Sequence, residues 1–161
     1  QGTVDKFTSA GMFSSTFVSG QAALANGAGP ITFLGGKLLV AATYGSGGPV
    51  WGNEILAFDA VGTFLGDFAS GAELSGPSGM AVGPDGYLYV LNYRGGSVVR
   101  YTSAGKLVDT LITTGNPGMR GIAFSTAVGG LAPPPVSGVP EPGAMGLVGV
   151  GLVVLGVMRR R

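Results

Sequence analysis

The chain has 161 residues, a net charge of +1, 32 glycines, and neither cysteine nor histidine. Three of the nine basic residues are the terminal arginines. The rest of the chain has six basic and eight acidic residues, and this slight acidic excess argues against a nucleic-acid-binding protein. The missing residue types exclude disulfides, thiol nucleophiles, thiolate or imidazole metal ligands and a Ser-His-Asp triad within this sequence.

One local pattern occurs three times in the first two thirds of the chain. Each copy has a strand ending in an aromatic residue, a short polar turn with glycine, and the start of a second strand. Glycine can take the positive φ angle that hairpin turns require. The copies are Val4–Phe13, Ile55–Phe64 and Val98–Leu107, and their aromatic residues are 51 and 43 positions apart.

The segments between these copies repeat as well. Gly29–Val40 and Gly76–Val90 each contain two apolar runs separated by a turn, and Asn116–Phe124 begins a third copy. Asp85-Gly86 between apolar runs is a strong hairpin signal. One unit therefore has four strands in about 40–50 residues, which is typical of a β-propeller blade.

The unit Leu74–Thr113 resembles an NHL-type repeat of the NHL and gluconolactonase-like propellers. The matching residues are Pro77, Gly79, Ala81, Val82, Pro84-Asp85-Gly86, Leu88-Tyr89-Val90, Val98, Arg100 and Tyr101. The family often has an aspartate and an arginine where this chain has Asn92 and Ser97. The resemblance covers roughly residues 29–124.

We therefore expect an all-β fold for residues 1–126: a partial β-propeller with about two four-stranded blades and flanking strands. A closed propeller typically has 4–8 blades, so this segment is expected to be a fragment, with a small sandwich-like stack or self-association as alternatives. Residues 127–138 are rich in glycine, proline, alanine and serine and are predicted to be an extended spacer.

Residues 139–161 end the chain with an apolar segment and a charge cluster. The sixteen residues Gly143–Met158 carry no charge. As a helix they would span about 24 Å, somewhat less than the bilayer hydrocarbon core of about 30 Å. The sequence predicts one short transmembrane helix here, with Arg159, Arg160 and Arg161 marking its cytoplasmic end.

Pro140-Glu141-Pro142 precedes the apolar segment, and both prolines favour an extended backbone. These three parts in this order resemble a PEP-CTERM sorting signal. The resemblance implies export in Gram-negative bacteria, transient anchoring in the bacterial membrane, and processing by an exosortase that recognises the motif. Proteins of this kind are associated with exopolysaccharide and biofilm matrix. Export also needs an N-terminal signal peptide; since Gln1 starts the sequence, we expect a processed form or a C-terminal fragment.

Polar residues near predicted strand ends are the candidates for a ligand site. Asn92, Tyr93 and Arg94 follow an apolar strand, and Trp51 follows a glycine-rich loop. They could contact a carbohydrate or lactone; the alternatives, which we favour, are a solvated turn for the first three and a cover over a blade edge for Trp51. Further polar candidates are Asn53, Glu54, Asn116 and Arg120.

No catalytic residue, metal site or cofactor is predicted. The aspartates, interpreted as turn residues, form no calcium-loop motif. The predicted function is an exported, exosortase-processed surface or matrix protein with a propeller-like binding or structural domain. The alternative is a propeller enzyme of the lactonase or lyase type whose catalytic blades lie outside this segment.

Overall fold

A computed structural model of the chain describes residues 2–44, 51–125 and 151–156. These residues form an all-β structure with one short 3-10 turn, Ala22–Leu24. Every strand pairing in the described part is antiparallel. The strands are β1 (Val4–Phe7), β2 (Phe13–Val18), β3 (Ala28–Leu34), β4 (Lys37–Tyr44), β5 (Trp51–Phe58), β6 (Phe64–Ser70), β7 (Pro77–Val82), β8 (Leu88–Asn92), β9 (Ser97–Tyr101), β10 (Leu107–Thr113), β11 (Met119–Ser125) and β12 (Gly151–Gly156).

The strands are arranged in four sheets that follow chain order. The first sheet is the pair β1-β2, the second is β3-β4-β5-β6, the third is β7-β8-β9-β10, and the last is the pair β11-β12. The two four-stranded sheets are the two repeats expected from the sequence, and β7-β10 falls within the predicted unit Leu74–Thr113. The hairpin predicted at Asp85-Gly86 joins β7 to β8, with Gly86 at φ 79°.

The three copies of the aromatic-turn pattern form the same hairpin in three sheets. In each, the N–H of the first turn residue donates to the carbonyl oxygen four residues on. The side-chain oxygen of that first residue then accepts the N–H of the same later residue. The first turn residues are Thr8, Asp59 and Thr102. Local side-chain hydrogen bonds of this type stabilise turns, which explains why the repeat is legible in the sequence.

Apolar contacts between successive sheets form the core. Strand β4 buries Leu38 and Val40 in a cluster shared with β2 and the 3-10 turn. It buries Leu39 and Ala41 in a second cluster shared with β5 and β6 of the same sheet and with β7, β8 and β9 of the next. Burial on both faces is what the unbroken apolar runs predict. A third cluster lies between β8-β9 and β11.

Two equivalent glycines bring the hairpin of one sheet against the outer strand of the sheet before it. Gly62 lies against the carbonyl group of Phe17, and Gly105 lies in the same way against that of Phe68. A Cβ atom at either glycine would overlap that carbonyl oxygen. The same sheet-to-sheet contact is therefore repeated along the chain.

The C-terminal apolar segment differs from the sequence-based expectation. Residues 151–156 form β12, paired with β11, where the apolar run predicts a transmembrane helix. Within the described ranges, no helix has the length and hydropathy to cross a bilayer. The rest of the predicted helix and the spacer 127–138 lie outside the described residues.

The register of β12 explains why this segment can add to the sheet edge. Leu152 is paired with Phe124 as Leu88 is paired with Val82 in the preceding sheet. With this alignment, the sequence Leu-Val-Val-Leu of β12 coincides with Leu-Tyr-Val-Leu of β8. β-branched residues such as valine favour strands. A backbone segment that is not helical satisfies its N–H and carbonyl groups by pairing with a neighbouring strand.

Replacement of Gly105 tests the contact between sheets. Gly105→Ala should lower the free energy of unfolding by about 3 kcal/mol or more, because the methyl group adds overlap with the Phe68 carbonyl to the cost of a positive φ. The matched control is Gly86→Ala, whose φ of 79° is close to the 80° of Gly105 but which has open space around it; we expect a loss of about 1–2 kcal/mol. Equal losses in urea unfolding would contradict the contact.

Candidate functional site

Asn92, a predicted ligand contact, is the last residue of β8 and is 1% exposed. Its side-chain oxygen accepts a hydrogen bond from the N–H of Ser75 at 3.0 Å. Its amide nitrogen donates to the Glu73 carbonyl at 2.7 Å and to the Ser97 hydroxyl at 2.9 Å. The amide thus ties the loop before β7 to the ends of β8 and β9, and its hydrogen bonds go to protein groups.

Asn92 and Ser97 lie opposite each other across β8 and β9, and their side chains are hydrogen bonded. This contact joins a neutral amide to a neutral hydroxyl, and such a pair is easier to bury than an unpaired charge.

Tyr93 and Arg94 form the turn that follows Asn92. Their N–H groups donate to the carbonyls of Gly76 and Ser75, at 3.0 and 3.2 Å. The guanidinium of Arg120 lies 4.9 Å from the centre of the Tyr93 ring, in a cation–π arrangement. Tyr93 is half-buried and Arg94 is exposed. The role of these residues as ligand contacts remains a prediction.

Only some of the other polar candidates come close to this turn. The Gly118 N–H donates to the Tyr93 carbonyl and the Thr114 N–H to the Gly96 carbonyl, which brings the loop containing Asn116 alongside. Asn53 and Glu54 belong to β5 in the preceding sheet. Trp51 begins β5 and pairs with Tyr44, and its side chain lies outside the described part of the structure.

The densest charged cluster in the described part is centred on Arg100 of β9, and the sequence did not predict it. Arg100 binds Asp109 of β10 with two hydrogen bonds, Nε–Oδ1 at 2.8 Å and Nη2–Oδ2 at 2.5 Å. Its Nη1 is 3.7 Å from Asp85 Oδ2, which also accepts the Tyr89 hydroxyl at 2.8 Å. The guanidinium is within 6 Å of the Tyr87 and Tyr89 ring centres, at 5.6 and 5.7 Å.

Strand register produces this cluster. Arg100 and Asp109 are directly opposite in the pairing of β9 with β10. The aspartates were interpreted as turn residues, which is wrong for Asp109 and for Asp67, since both lie within strands. The ion pair could have been predicted from the hairpin, because pairing the residues on either side of the Thr102–Lys106 turn places Asp109 opposite Arg100.

The hydrogen bonds from Arg100 hold the pKa of Asp109 below its ordinary value, and the same bonds raise the pKa of Arg100. Burial raises the pKa of the Tyr89 hydroxyl. Burial and the neighbouring carboxylate of Glu73 raise the pKa of Tyr101, whose hydroxyl donates to Glu73 Oε1 at 3.3 Å. These shifts favour the ionised pair and the neutral phenols at neutral pH, which suits a structural network between strands.

The described residues contain no group of three or more acidic side chains placed to hold a metal ion. The polar groups near Asn92 and Arg100 are joined to one another by hydrogen bonds and ion pairs. Chemically, this arrangement fixes loops and strand ends. The exposed Arg94 and the Tyr93–Arg120 pair are the groups that a ligand at this end of the sheet would meet.

Comparison with protein-family models matches residues 138–161 to the PEP-CTERM protein-sorting motif. This confirms the sorting signal predicted for residues 139–161. The motif implies export, membrane-anchored transit and processing by an exosortase. The match does not extend to the repeats, so the NHL-type resemblance stays a prediction. A search of curated proteins finds no match to the chain.

Pro140, Glu141 and Pro142 lie outside the described residues, as do Arg159, Arg160 and Arg161. Their assignment to the motif therefore rests on sequence alone.

Asn92→Ala should lower the free energy of unfolding by roughly 2–4 kcal/mol, because it leaves the part-buried Ser75 N–H and Glu73 carbonyl without these hydrogen bonds. Asn53→Ala, at an exposed asparagine of β5, is the matched control and should change stability by less than about 0.5 kcal/mol. Urea unfolding measures both. A similar small effect for the two variants would show that the Asn92 network contributes little.

Asp109→Asn should make stability less dependent on pH. The folded-state pKa of Asp109 lies below its ordinary 3.8, so its ion pair stabilises the protein above about pH 4. This contribution is lost as the pH falls through the lowered folded-state pKa. The wild type should therefore melt at a higher temperature than the variant near pH 6, and the difference should shrink towards pH 3. Asp67→Asn, at an exposed carboxylate of β6, is the control. A difference that is constant from pH 3 to pH 7 would contradict this role.

Proposed function

We propose that this is an exported, exosortase-processed protein of the cell surface or extracellular matrix, with a β domain that acts as a binding or structural module. The sorting motif at residues 138–161 carries the proposal. It combines a Pro-Glu-Pro segment, an apolar stretch and a terminal arginine cluster. Glu141 would be recognised by the exosortase, and the β domain would lie on the outer side of the membrane.

The physical chemistry of the tail fits a removable anchor. Leucine and valine each favour bilayer insertion by only about 0.3–0.6 kcal/mol, and Gly143–Met158 includes several glycines. A stretch of this length and composition holds a protein at a membrane weakly. The three terminal arginines would stay on the cytoplasmic side, which keeps the Pro-Glu-Pro segment on the opposite side, within reach of a membrane-bound processing enzyme.

Membrane insertion would require β12 to leave the edge of β11. The pairing of residues 151–156 with β11 involves a small number of backbone hydrogen bonds, each with a net contribution of about 1 kcal/mol. That cost is comparable with the insertion free energy of the apolar side chains. The same six residues can therefore exchange between a sheet edge and a bilayer.

The repeated four-stranded sheets support a propeller-like module of NHL type for residues 1–126. The sheets follow one another with the same hairpins and the same sheet-to-sheet contact. The buried Asn92 and the Arg100–Asp109 pair bind groups of the protein itself, which fits a structural or binding role better than a catalytic one. An exopolysaccharide of the biofilm matrix is the proposed ligand, with Tyr93 and Arg94 as the proposed contacts.

The sorting claim is tested by expressing the chain behind a signal peptide in matched strains with and without the exosortase. Processing should shorten the C terminus and release the protein from the membrane fraction only in the strain that has the enzyme. Intact mass and membrane fractionation give the two readouts. Glu141→Gln should slow processing at least tenfold, whereas Glu54→Gln in β5 should leave it unchanged.

A C terminus that stays intact and membrane-bound in both strains would overturn the sorting proposal. If Glu54→Gln also abolished processing, the effect of Glu141→Gln would not be specific to the motif, and the proposed role of Glu141 in recognition would be wrong. Replacement of all three terminal arginines by glutamine should reduce membrane-anchored transit, because the positive charges set the orientation of the segment.

A further inference from the structure

The described part of the chain has two uncovered sheet faces, one at each end of the series of sheets. They are recognised by comparing equivalent positions in the repeats. Ile31 of β3 and Met80 of β7 are equivalent, because they pair with Val40 and Val90 at matching points of the next strands. Met80 is 8% exposed beneath the preceding sheet, whereas Ile31 is 49% exposed.

Phe33 shows the same effect more strongly. It is equivalent to Val82, which packs against the core between the second and third sheets. Phe33 is 72% exposed. It lines a groove of about 410 Å³ with Val4, Phe17, Ile31 and Leu38, between the pair β1-β2 and the inner strands β3 and β4. Strand β3 of the second sheet thus lacks the cover that the equivalent strand β7 of the third sheet receives.

The opposite end has the complementary face. Phe17, Phe68 and Leu111 hold the same position on the outer strands β2, β6 and β10, counted from the equivalent hairpin pairs. Phe68 is 9% exposed in the core between sheets, whereas Leu111 is 43% exposed.

The hairpin glycines connect the two ends. Gly62 lies against the Phe17 carbonyl and Gly105 against the Phe68 carbonyl. The third equivalent glycine, Gly11, has nothing within 4 Å. Leu111 holds the position of Phe17 and Phe68 on its strand, so its carbonyl is the group that would contact Gly11 in the same way. One end of the chain therefore presents the surface that the other end is built to receive.

We propose that two copies of this chain associate head to tail, with Leu111 of one copy packed against the Gly11 hairpin of the other and the β11-β12 pair of the first copy covering Ile31 and Phe33 of the second. The contact repeats the one already made twice within each chain, which is why a second copy is the occupant that fits. An association of this heterologous kind forms a closed ring only when its rotation closes.

The strands in the described residues fit this arrangement. These residues contain two complete four-stranded sheets, the outer pair β1-β2 and the inner pair β11-β12. In the proposed assembly, the inner pair of one copy lies beside the outer pair of the other and completes a four-stranded sheet.

The test uses the whole chain in detergent-free buffer, with mass measured by sedimentation over about 1–100 µM. We expect a dimer, and each of Phe33→Glu and Leu111→Glu should raise its dissociation constant at least tenfold. Leu65→Glu, at a 52% exposed leucine on the outer strand β6, is the matched control and should leave the dimer intact. Because all three side chains are exposed, far-UV circular dichroism should show folded variants.

Mixing the two face variants gives a sharper test. A mixture of Phe33→Glu and Leu111→Glu chains leaves one interface with no substitution, so the mixture should form more dimer than either variant alone. Gly11→Ala should also weaken the dimer, while Gly86→Ala, which has a similar φ and open surroundings, should not. All variants are compared in the unprocessed chain, because removal of the tail would remove β12.

A chain that is monomeric up to 100 µM would overturn the proposal and assign the two faces to another partner. A dimer that neither face variant weakens would also overturn it, because association would then occur through another surface, such as the apolar tail. No gain on mixing would exclude the head-to-tail arrangement.

Discussion

The burial of inner strands on both faces is the constraint on which the described structure depends. Strand β4 has apolar side chains pointing both ways, and so does β8 in the next repeat. A sheet of this kind cannot leave either face in water without losing the free energy of burying those side chains, about 1.5–3 kcal/mol for each large one. It must therefore have a neighbouring sheet on each side. The stacking of successive sheets and the glycines that permit their close approach follow from this requirement. At the two ends of the described series the requirement is not met, and Phe33 and Leu111 are exposed there.

Polar residues occur where the sheets and their connections meet. The Asn92 side chain hydrogen bonds to backbone groups of the loop before β7. Arg100 of β9 contacts Asp109 of β10 and Asp85 in the turn between β7 and β8. Buried or half-buried polar groups are tolerated when their hydrogen bonds are satisfied. These residues lock the registers of β8, β9 and β10. The exposed Tyr93–Arg94 turn lies directly beyond the lock, so a ligand there would meet a rigidly held surface.

Much of the architecture could be predicted because its signals are local. The hairpins at Thr8, Asp59 and Thr102 depend on a few consecutive residues, and so does the turn at Asp85-Gly86. The candidate site was harder to predict. Asn92 looked like an exposed contact because it follows an apolar run, but its three hydrogen bonds reach residues up to 19 positions away. The Arg100–Asp109 pair depends on register across a hairpin, which single-residue interpretation ignores.

The sequence by itself determined the sorting motif at residues 138–161, the repeated strand-and-turn units and the exclusion of cysteine and histidine chemistry. Each of these depends on residue type and short spacing. Only the tertiary structure decided which apolar residues are covered: Met80 and Phe68 are buried, while Ile31 and Leu111, at equivalent positions, are exposed. It also decided that residues 151–156 pair with β11. The physical reason is that burial and strand pairing depend on neighbours distant in the chain, and an apolar run such as Leu152–Leu155 suits either a lipid environment or a sheet edge.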